Sequence, residues 1–265
     1  MMKNMQEIRH YLDKISKSDS DYLMPKIVDQ VYLCADSEKP GFSEFLDPMR
    51  LQNAKRRLAG LGKLGIMMEE YGGYTQAERK KLGFGFETLA AENFPISKIK
   101  LTYDVRYRTL THPEFLGTIV GLGVDRAVIG DIVPLKDSWI IIIEPHLADF
   151  LHTNLQKVGK IPVTTEILPN DYEFFGLDNR VKETITCSSL KLVKILSATF
   201  NLSRQHTCDL IKSRKAFVNW NVEDRPSCLV KAGDMITLRS RGKIQITEIL
   251  GKSRKDNFII EIVRY

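Results

Sequence analysis

The sequence predicts an α+β protein of two or three domains, and three observations carry that prediction. Apolar residues near the N-terminus recur at helical spacing, residues 97 to 168 alternate strand and helix signals, and positive charge gathers in the last third. With 265 residues, 43% hydrophobic and 27% charged, the chain can build ordinary cores without disulfide staples. From residue 180 onward there are 17 Lys+Arg against 8 Asp+Glu, whereas the preceding 179 residues carry 22 against 25. The net charge of +6 therefore belongs to the C-terminal segment. A segment of that kind suits a polyanion, because cations that meet phosphates release counterions. A merely solvated basic surface is the alternative that charge alone leaves open.

Residues 1–75 read as a helical domain. Met5, Ile8, Tyr11, Leu12 and Ile15 make one apolar helix face, and Asp47-Pro48 gives a capped helix start that runs through Leu51, Ala54 and Leu58 to the stop signals Gly60 and Gly62. Between Gly72-Gly73 and Pro95 we expect a turn, a short charged segment and a connector containing Gly83-Phe84-Gly85-Phe86.

Residues 76–170 form the expected second domain, connector included. Ile99, Leu101 and Tyr103 alternate as a strand, and Thr111-His112-Pro113 opens a helix that Gly121 and Gly123 close. A strand near Ala127 to Val133, a strand at Trp139 to Ile143, a helix from His146 to Val158 ending at Gly159, and a strand at Val163 to Leu168 follow. This β-α-β-β-α-β order matches the ferredoxin-like, split βαβ arrangement also used by RNA-recognition-motif domains.

Pro169-Asn170-Asp171 breaks the pattern, and residues 180–265 form the third domain. Ser189 is placed to cap one helix and Ser203 a second, from Arg204 to Ser213. Strands are expected at Ala216 to Trp220, Met235 to Arg239, Ile244 to Ile249 and Phe258 to Val263.

Several function classes are disfavoured. The longest apolar run, Trp139-Ile140-Ile141-Ile142-Ile143, has strand length, so no membrane span is expected. The N-terminal residues lack the apolar core of a secretory signal, so a cytoplasmic protein is expected. Cys34, Cys187, Cys208 and Cys228 are scattered without a C-x-x-C pair, and the histidines show no metal spacing beyond the weak pair His146 and His152. No metal, no cofactor and a monomeric state are expected.

The candidate binding residues lie in the basic third. A helix N-terminus presents amide donors and a positive dipole end, so Ser203 and Arg204 suit a backbone phosphate. Lys191 and Lys194 on the preceding helix, with Lys212, Arg214 and Lys215 around the end of the second, extend a basic surface fitted to RNA shape more than to base sequence. Arg239 and Arg241 add charge near the last turn, where a solvated loop explains them nearly as well. Gln205 and Asn219, in the same motif segments, complete the set. In the middle domain, His112 and Arg126 are possible contacts, although helix entry geometry beside Pro113 is the plainer role for His112.

The helix-helix-strand order, with Ser203-Arg204-Gln205, Phe217-Val218-Asn219 and Lys231-Ala232-Gly233-Asp234, resembles the RNA-binding domain of small-subunit ribosomal protein S-four. Two positions depart from that pattern. Lys191-Leu192-Val193 stands where Arg-Leu-Asp is usual, which removes an acidic partner, and Arg214 stands where Gly commonly precedes the central strand. The stretch His112-Pro113-Glu114-Phe115-Leu116-Gly117, continuing through Gly121-Leu122-Gly123, Arg126 and Ile129-Gly130-Asp131-Ile132, resembles the middle domain of bacterial YlmH-like proteins, and Gly72-Gly73-Tyr74 with Glu78-Arg79 resembles their connector. The resemblance implies a ribosome-associated RNA-binding protein. Its implied partners are ribosomal RNA, the large subunit and peptidyl-tRNA, in rescue of stalled translation.

Two motifs mislead. Gly83-Phe84-Gly85-Phe86 looks like an RNA-stacking signature but precedes the first middle strand, so its rings are expected in the connector or core. Gly121-Leu122-Gly123 ends a helix where a dinucleotide loop would open one. An RNA-modifying enzyme is the first alternative function, since modules like the C-terminal one are joined to pseudouridine synthases and methyltransferases. The chain nevertheless contains no Arg-Leu-Asp and no strand with a Gly-rich cofactor loop. A cell-division adaptor using the acidic N-terminal domain is the second alternative, and its binding would resist nuclease.

Overall fold

The structure, a computed structural model, describes residues 2–16, 23–106, 108–176 and 181–265. It divides into two compact units, Met1–Leu177 and Asp178–Tyr265, of mixed helix and sheet. Arg180, taken from the sequence as the start of the basic third, lies outside the described residues.

The first unit opens with helices α1 (Met2–Ser16) and α2 (Leu23–Ser37). The expected face of α1 is buried at Ile8, Leu12 and Ile15, against Ile27, Val31 and Cys34 of α2. Each fully buried aliphatic contributes roughly 1.5–3 kcal/mol. The helical reading of residues 1–75 omits a sheet. After strand β1 (Gly41–Phe42) comes helix α3 (Pro48–Leu58), started by Asp47 Oδ1, which accepts from the Arg50 amide at 2.9 Å. Strands β2 (Met67–Tyr71) and β3 (Lys81–Gly85) then pair in the order β1-β3-β2. β3 contains most of the Gly-Phe-Gly-Phe motif and is buried throughout, which is why it reads as a connector: it has no polar side to reveal alternation. A Cβ on Gly83 would sit 2.7 Å from Leu89 Cδ1 and 2.9 Å from Phe94 Cζ, so glycine there serves close packing.

The same unit contains β4 (Ser97–Thr102), α4 (His112–Gly121), β5 (Ile129–Pro134), β6 (Trp139–Ile143), α5 (Ala148–Asn154), the short hairpin β7 (Lys157–Val158) and β8 (Ile161–Pro162), and β9 (Thr164–Leu168). The β-α-β-β-α-β order holds, in an antiparallel sheet ordered β5-β6-β4-β9. The helix expected from His146 to Val158 is shorter, because the chain turns into the β7–β8 hairpin, with Gly159 at a φ of 59° in its turn. The isoleucine run is explained by burial on both faces. Ile141 and Ile143 meet Phe115, Ile119 and Leu151 on the helix side, while Ile140 and Ile142 join Phe45, Phe94 and Phe174 on the other. The residues expected as two domains, 1–75 and 76–170, thus lie in one unit. Lys81, nearly fully buried, ties them by donating to Glu144 Oε1 at 2.6 Å.

The second unit is a six-stranded sheet covered on one face by two helices. Its elements are β10 (Val181–Cys187), α6 (Leu192–Phe200), α7 (Arg204–Lys212), β11 (Ala216–Val218), β12 (Asn221–Val222), β13 (Met235–Leu238), β14 (Gly242–Lys252) and β15 (Phe258–Arg264), with sheet order β10-β15-β14-β13-β11-β12. Ile236, Leu238, Ile244, Ile246, Ile260 and Ile262 pack on Leu192, Ile195, Leu196 and Ile211. β10 was not expected from the sequence, since Val181-Lys182-Glu183-Thr184 gives no clear apolar alternation.

Candidate nucleic-acid interface

The helices α6 and α7 present the basic candidates. α6 is capped by Lys191 rather than Ser189, and its first amides are already bonded: Leu192 N donates to Cys228 O at 2.7 Å and Val193 N to Pro226 O at 3.2 Å. That N-terminus has little left for a phosphate. α6 stops at Asn201 in the left-handed region, and Ser203 starts α7 as expected, its Oγ accepting from His206 N at 3.2 Å. A Ser197 Oγ to Thr207 Oγ1 hydrogen bond of 2.9 Å locks the two helices together. The first two amides of α7, on Arg204 and Gln205, have no acceptor among the described residues and sit at an exposed helix N-terminus.

Arg204 and Lys212 are both exposed on α7, about 80° apart around the helix and roughly 12 Å apart along it. Gln205 Nε2 donates to Asp209 Oδ1 at 3.1 Å, so its amide is partly engaged. At the other end, Arg214 N donates to Ile211 O at 2.9 Å and Lys215 N to Leu210 O at 3.1 Å, with Arg214 at a φ of 59°. This is the helix-ending motif that normally uses glycine. Arg214 therefore makes the turn that the absent glycine would have made, at a conformational cost of about 1 kcal/mol, and its side chain is exposed.

The last turn is joined to the sheet. Arg239 N donates to Lys215 O at 2.9 Å, which brings Lys215 and Arg239 side by side, and Arg241 follows in the exposed β13–β14 turn. Among the described ion pairs none uses Lys191, Lys194, Arg204, Lys212, Arg214, Lys215, Arg239 or Arg241. Asn219 departs from expectation. Its Nδ2 donates to Asp234 Oδ1 and its Oδ1 accepts from Met235 N, both at 2.9 Å, so both polar atoms of this side chain are engaged in bracing a turn.

Of the middle candidates, Arg126 is half-buried and turned to backbone carbonyls, whereas His112 is exposed at the start of α4. Arg126 Nη1 donates to Ile129 O at 2.5 Å and to Gly130 O at 3.1 Å. Beside it, Asp131 accepts from Tyr74 Oη at 3.0 Å, Glu78 N at 2.7 Å and Arg79 N at 3.2 Å. Arg79 reaches on to Phe45 O at 2.8 Å and Arg126 O at 3.1 Å. Burial pushes the Asp131 carboxyl up despite those donors, and burial with the adjoining Arg126 pulls Arg79 down to about 10. His112 lies in the same electrostatic neighbourhood, its imidazole held below the ordinary value first by desolvation and then by Arg126. Arg126 Nη1 is thus engaged by the backbone at the start of β5, while Arg79 and Asp131 cross-link the connector to that strand, so Arg126 has a bracing role that the sequence did not reveal.

A profile of the family described as “Putative RNA-binding domain in YlmH” matches residues 90–171, which include the His112 to Ile132 stretch. Over 225 residues, 84% of this chain and 86% of the relative, the sequence is 31% identical to “Ribosome-associated protein quality control protein P2” of Bacillus subtilis (strain 168). The chain belongs to the YlmH family. A solved structure, “Cell division protein ylmH from Streptococcus pneumoniae”, is 24% identical, with a TM-score of 0.45, covering 62% of this chain and 92% of that one.

Within this YlmH-family chain, sequence reading missed two ring–cation pairs, one at the predicted Arg239 and one at Lys243, which was not among the candidates. Arg239 lies over the Phe217 ring at 4.9 Å and Lys243 over the Tyr265 ring at 4.5 Å. Strand register brings these pairs together, and register is not visible before the strands are paired.

Proposed function

We propose that this chain is a non-catalytic RNA-binding protein that docks on folded ribosomal RNA of the large subunit, with peptidyl-tRNA as a further partner, during rescue of stalled translation. It acts as a monomer in the cytoplasm. The observation that carries this reading is the run of exposed cations, without ion-pair partners among the described residues, from the α7 N-terminus, at Ser203 and Arg204, through Lys212, Arg214 and Lys215. Lys191 and Lys194 extend it along α6. Such a surface holds phosphates through charge and backbone amides and fits an RNA shape. The name of the Bacillus subtilis relative supports the ribosomal setting.

The finer fold reading belongs to the same proposal. Residues 76–170 read as a ferredoxin-like domain related to RNA-recognition motifs, residues 180–265 as a domain of the ribosomal protein S-four type, and the N-terminal helices with the β1-β3-β2 sheet as the part of the first unit that shapes which ribosomal state is recognised. The central strands β4 and β6 are covered on both faces, so open sheet surface is confined to the edge strand β9, unlike the open sheet face of RNA-recognition motifs.

Sedimentation of the tagged protein from gently lysed cells tests the reading. Co-migration with large subunits that is lost after ribonuclease and in high salt is the expected result. Migration as free protein, or association that survives ribonuclease, would overturn it.

A further inference from the structure

The helix-free face of the six-stranded sheet carries an ordered row of side chains that RNA docking through α6 and α7 does not use. Phe217 of β11 pairs with Thr237 of β13, and Thr237 pairs with Lys243 of β14. Tyr265, directly after β15, donates its backbone N–H to Lys243 O at 2.9 Å. Side chains alternate across a strand, and the intervening Ile236, Leu238 and Ile244 are buried under the helices. Phe217, Thr237, Lys243 and Tyr265 therefore share the opposite face, in one row across four neighbouring chain segments.

Two rings thus stand about 14 Å apart, three strand spacings. Each has a cation over it, Arg239 on Phe217 and Lys243 on Tyr265. Tyr265 is 40% exposed, and Val222, paired with Phe217, is 42% exposed, so the row is open at both ends. Gln245 lies one row away and meets Tyr265 Oη at 3.2 Å, adding an amide able to read base edges. The nearby carboxylate on this face, Glu261, is held by Thr247 Oγ1 at 2.8 Å and Lys182 Nζ at 3.4 Å.

We propose that this face is a second RNA surface, which takes a short unpaired RNA stretch by stacking bases on Phe217 and Tyr265 while Arg239 turns to a flanking phosphate. The chemistry favours that exchange. A base stacked on an aromatic ring is worth more than an exposed cation–π contact, and the released Arg239 gains a phosphate partner. Aromatic residues on a sheet can hold about two or three bases, which matches two rings at this separation. Arg239, beside Lys215, borders both surfaces, whereas the rings Phe217 and Tyr265 belong to this face alone and test it separately from the α7 cations.

The test is fluorescence anisotropy of the full chain with a short labelled oligouridylate, beside binding to folded large-subunit ribosomal RNA. Phe217→Leu and Tyr265→Leu should each weaken oligouridylate binding about tenfold and leave the folded RNA unaffected. Arg204→Ala with Lys212→Ala should do the reverse, so failure of helix docking is seen separately. Absent oligouridylate binding, or binding unchanged by both ring variants, overturns the proposal. Should a ring variant unfold, photocrosslinking of the unaltered protein to thiouridine-substituted oligouridylate decides. Adducts at Phe217 or Tyr265 support the surface, and adducts confined to α6 and α7 refute it.

Discussion

In the first unit, Arg9 meets Asp36, Lys26 meets Glu44, Lys55 and Lys80 share Glu70, Lys81 meets Glu144, and Arg108 meets Glu114. In the second, Arg204, Lys212, Arg214, Lys215, Arg239 and Arg241 have no carboxylate at ion-pair distance among the described residues. Net charge alone does not separate these situations. A cation already facing a carboxylate gains little from a phosphate, whereas an unpaired one gains the full counterion-release benefit. The second unit also pairs Lys182, Arg225, Lys252 and Arg264 with its own carboxylates, so the contrast lies in the cluster around α7 and the β13–β14 turn, whose unpaired cations we read as the ones offered to a partner.

The sharpest way to break this contrast is at the centre of the first unit. Asp131 accepts three hydrogen bonds, so Asp131→Asn would set an amide donor against donors. We expect a loss of about 3 kcal/mol in chemical unfolding of the first unit, with RNA affinity of the intact chain little changed in the folded range. In the second unit, Arg204→Ala with Lys212→Ala should weaken folded-RNA binding by about 2 kcal/mol in a titration, with no change in melting temperature. A smaller effect separates stability from binding within one residue. Arg214→Gly relieves the left-handed strain and should stabilise the protein by about 1 kcal/mol while weakening RNA binding, and a variant that gained stability without losing affinity would remove Arg214 from the interface.

The smallest effect concerns pH. His112 titrates below its ordinary value in the folded protein, so the neutral imidazole is favoured by folding. Its contribution to stability is complete above the unfolded value of about 6.5 and is lost as pH falls through the lower folded value. NMR titration of the ring should give a midpoint below 6.5, and His112→Gln should flatten the stability curve across that window.

Local signals carried much of this fold. The α1 face, the Asp47-Pro48 start, the Ser203 cap and the middle strand order all follow from side-chain spacing and capping chemistry. What remained hidden depends on contacts distant in sequence. β3 is buried on both sides and so shows no alternation, and the α6 cap moved from Ser189 to Lys191 because the Pro226 to Leu229 loop supplies acceptors for its amides. For the candidate site, residue type located Arg204, Lys212 and Arg214 but could not show that Asn219 is consumed by Asp234 and Met235, or that Arg126 points at backbone carbonyls. Charge and amide groups advertise binding and bracing alike, and only the partner list distinguishes them.

The central claim is that unpaired cations of the second unit hold RNA phosphates, and the salt dependence of binding tests it most directly. Affinity for folded large-subunit ribosomal RNA should fall steeply with salt, and Arg204→Ala with Lys212→Ala should make the slope shallower by about 1.5, while Arg9→Ala with Lys26→Ala in the first unit leaves it alone. A slope unchanged by the second-unit pair, or reduced equally by the first-unit pair, would contradict the account.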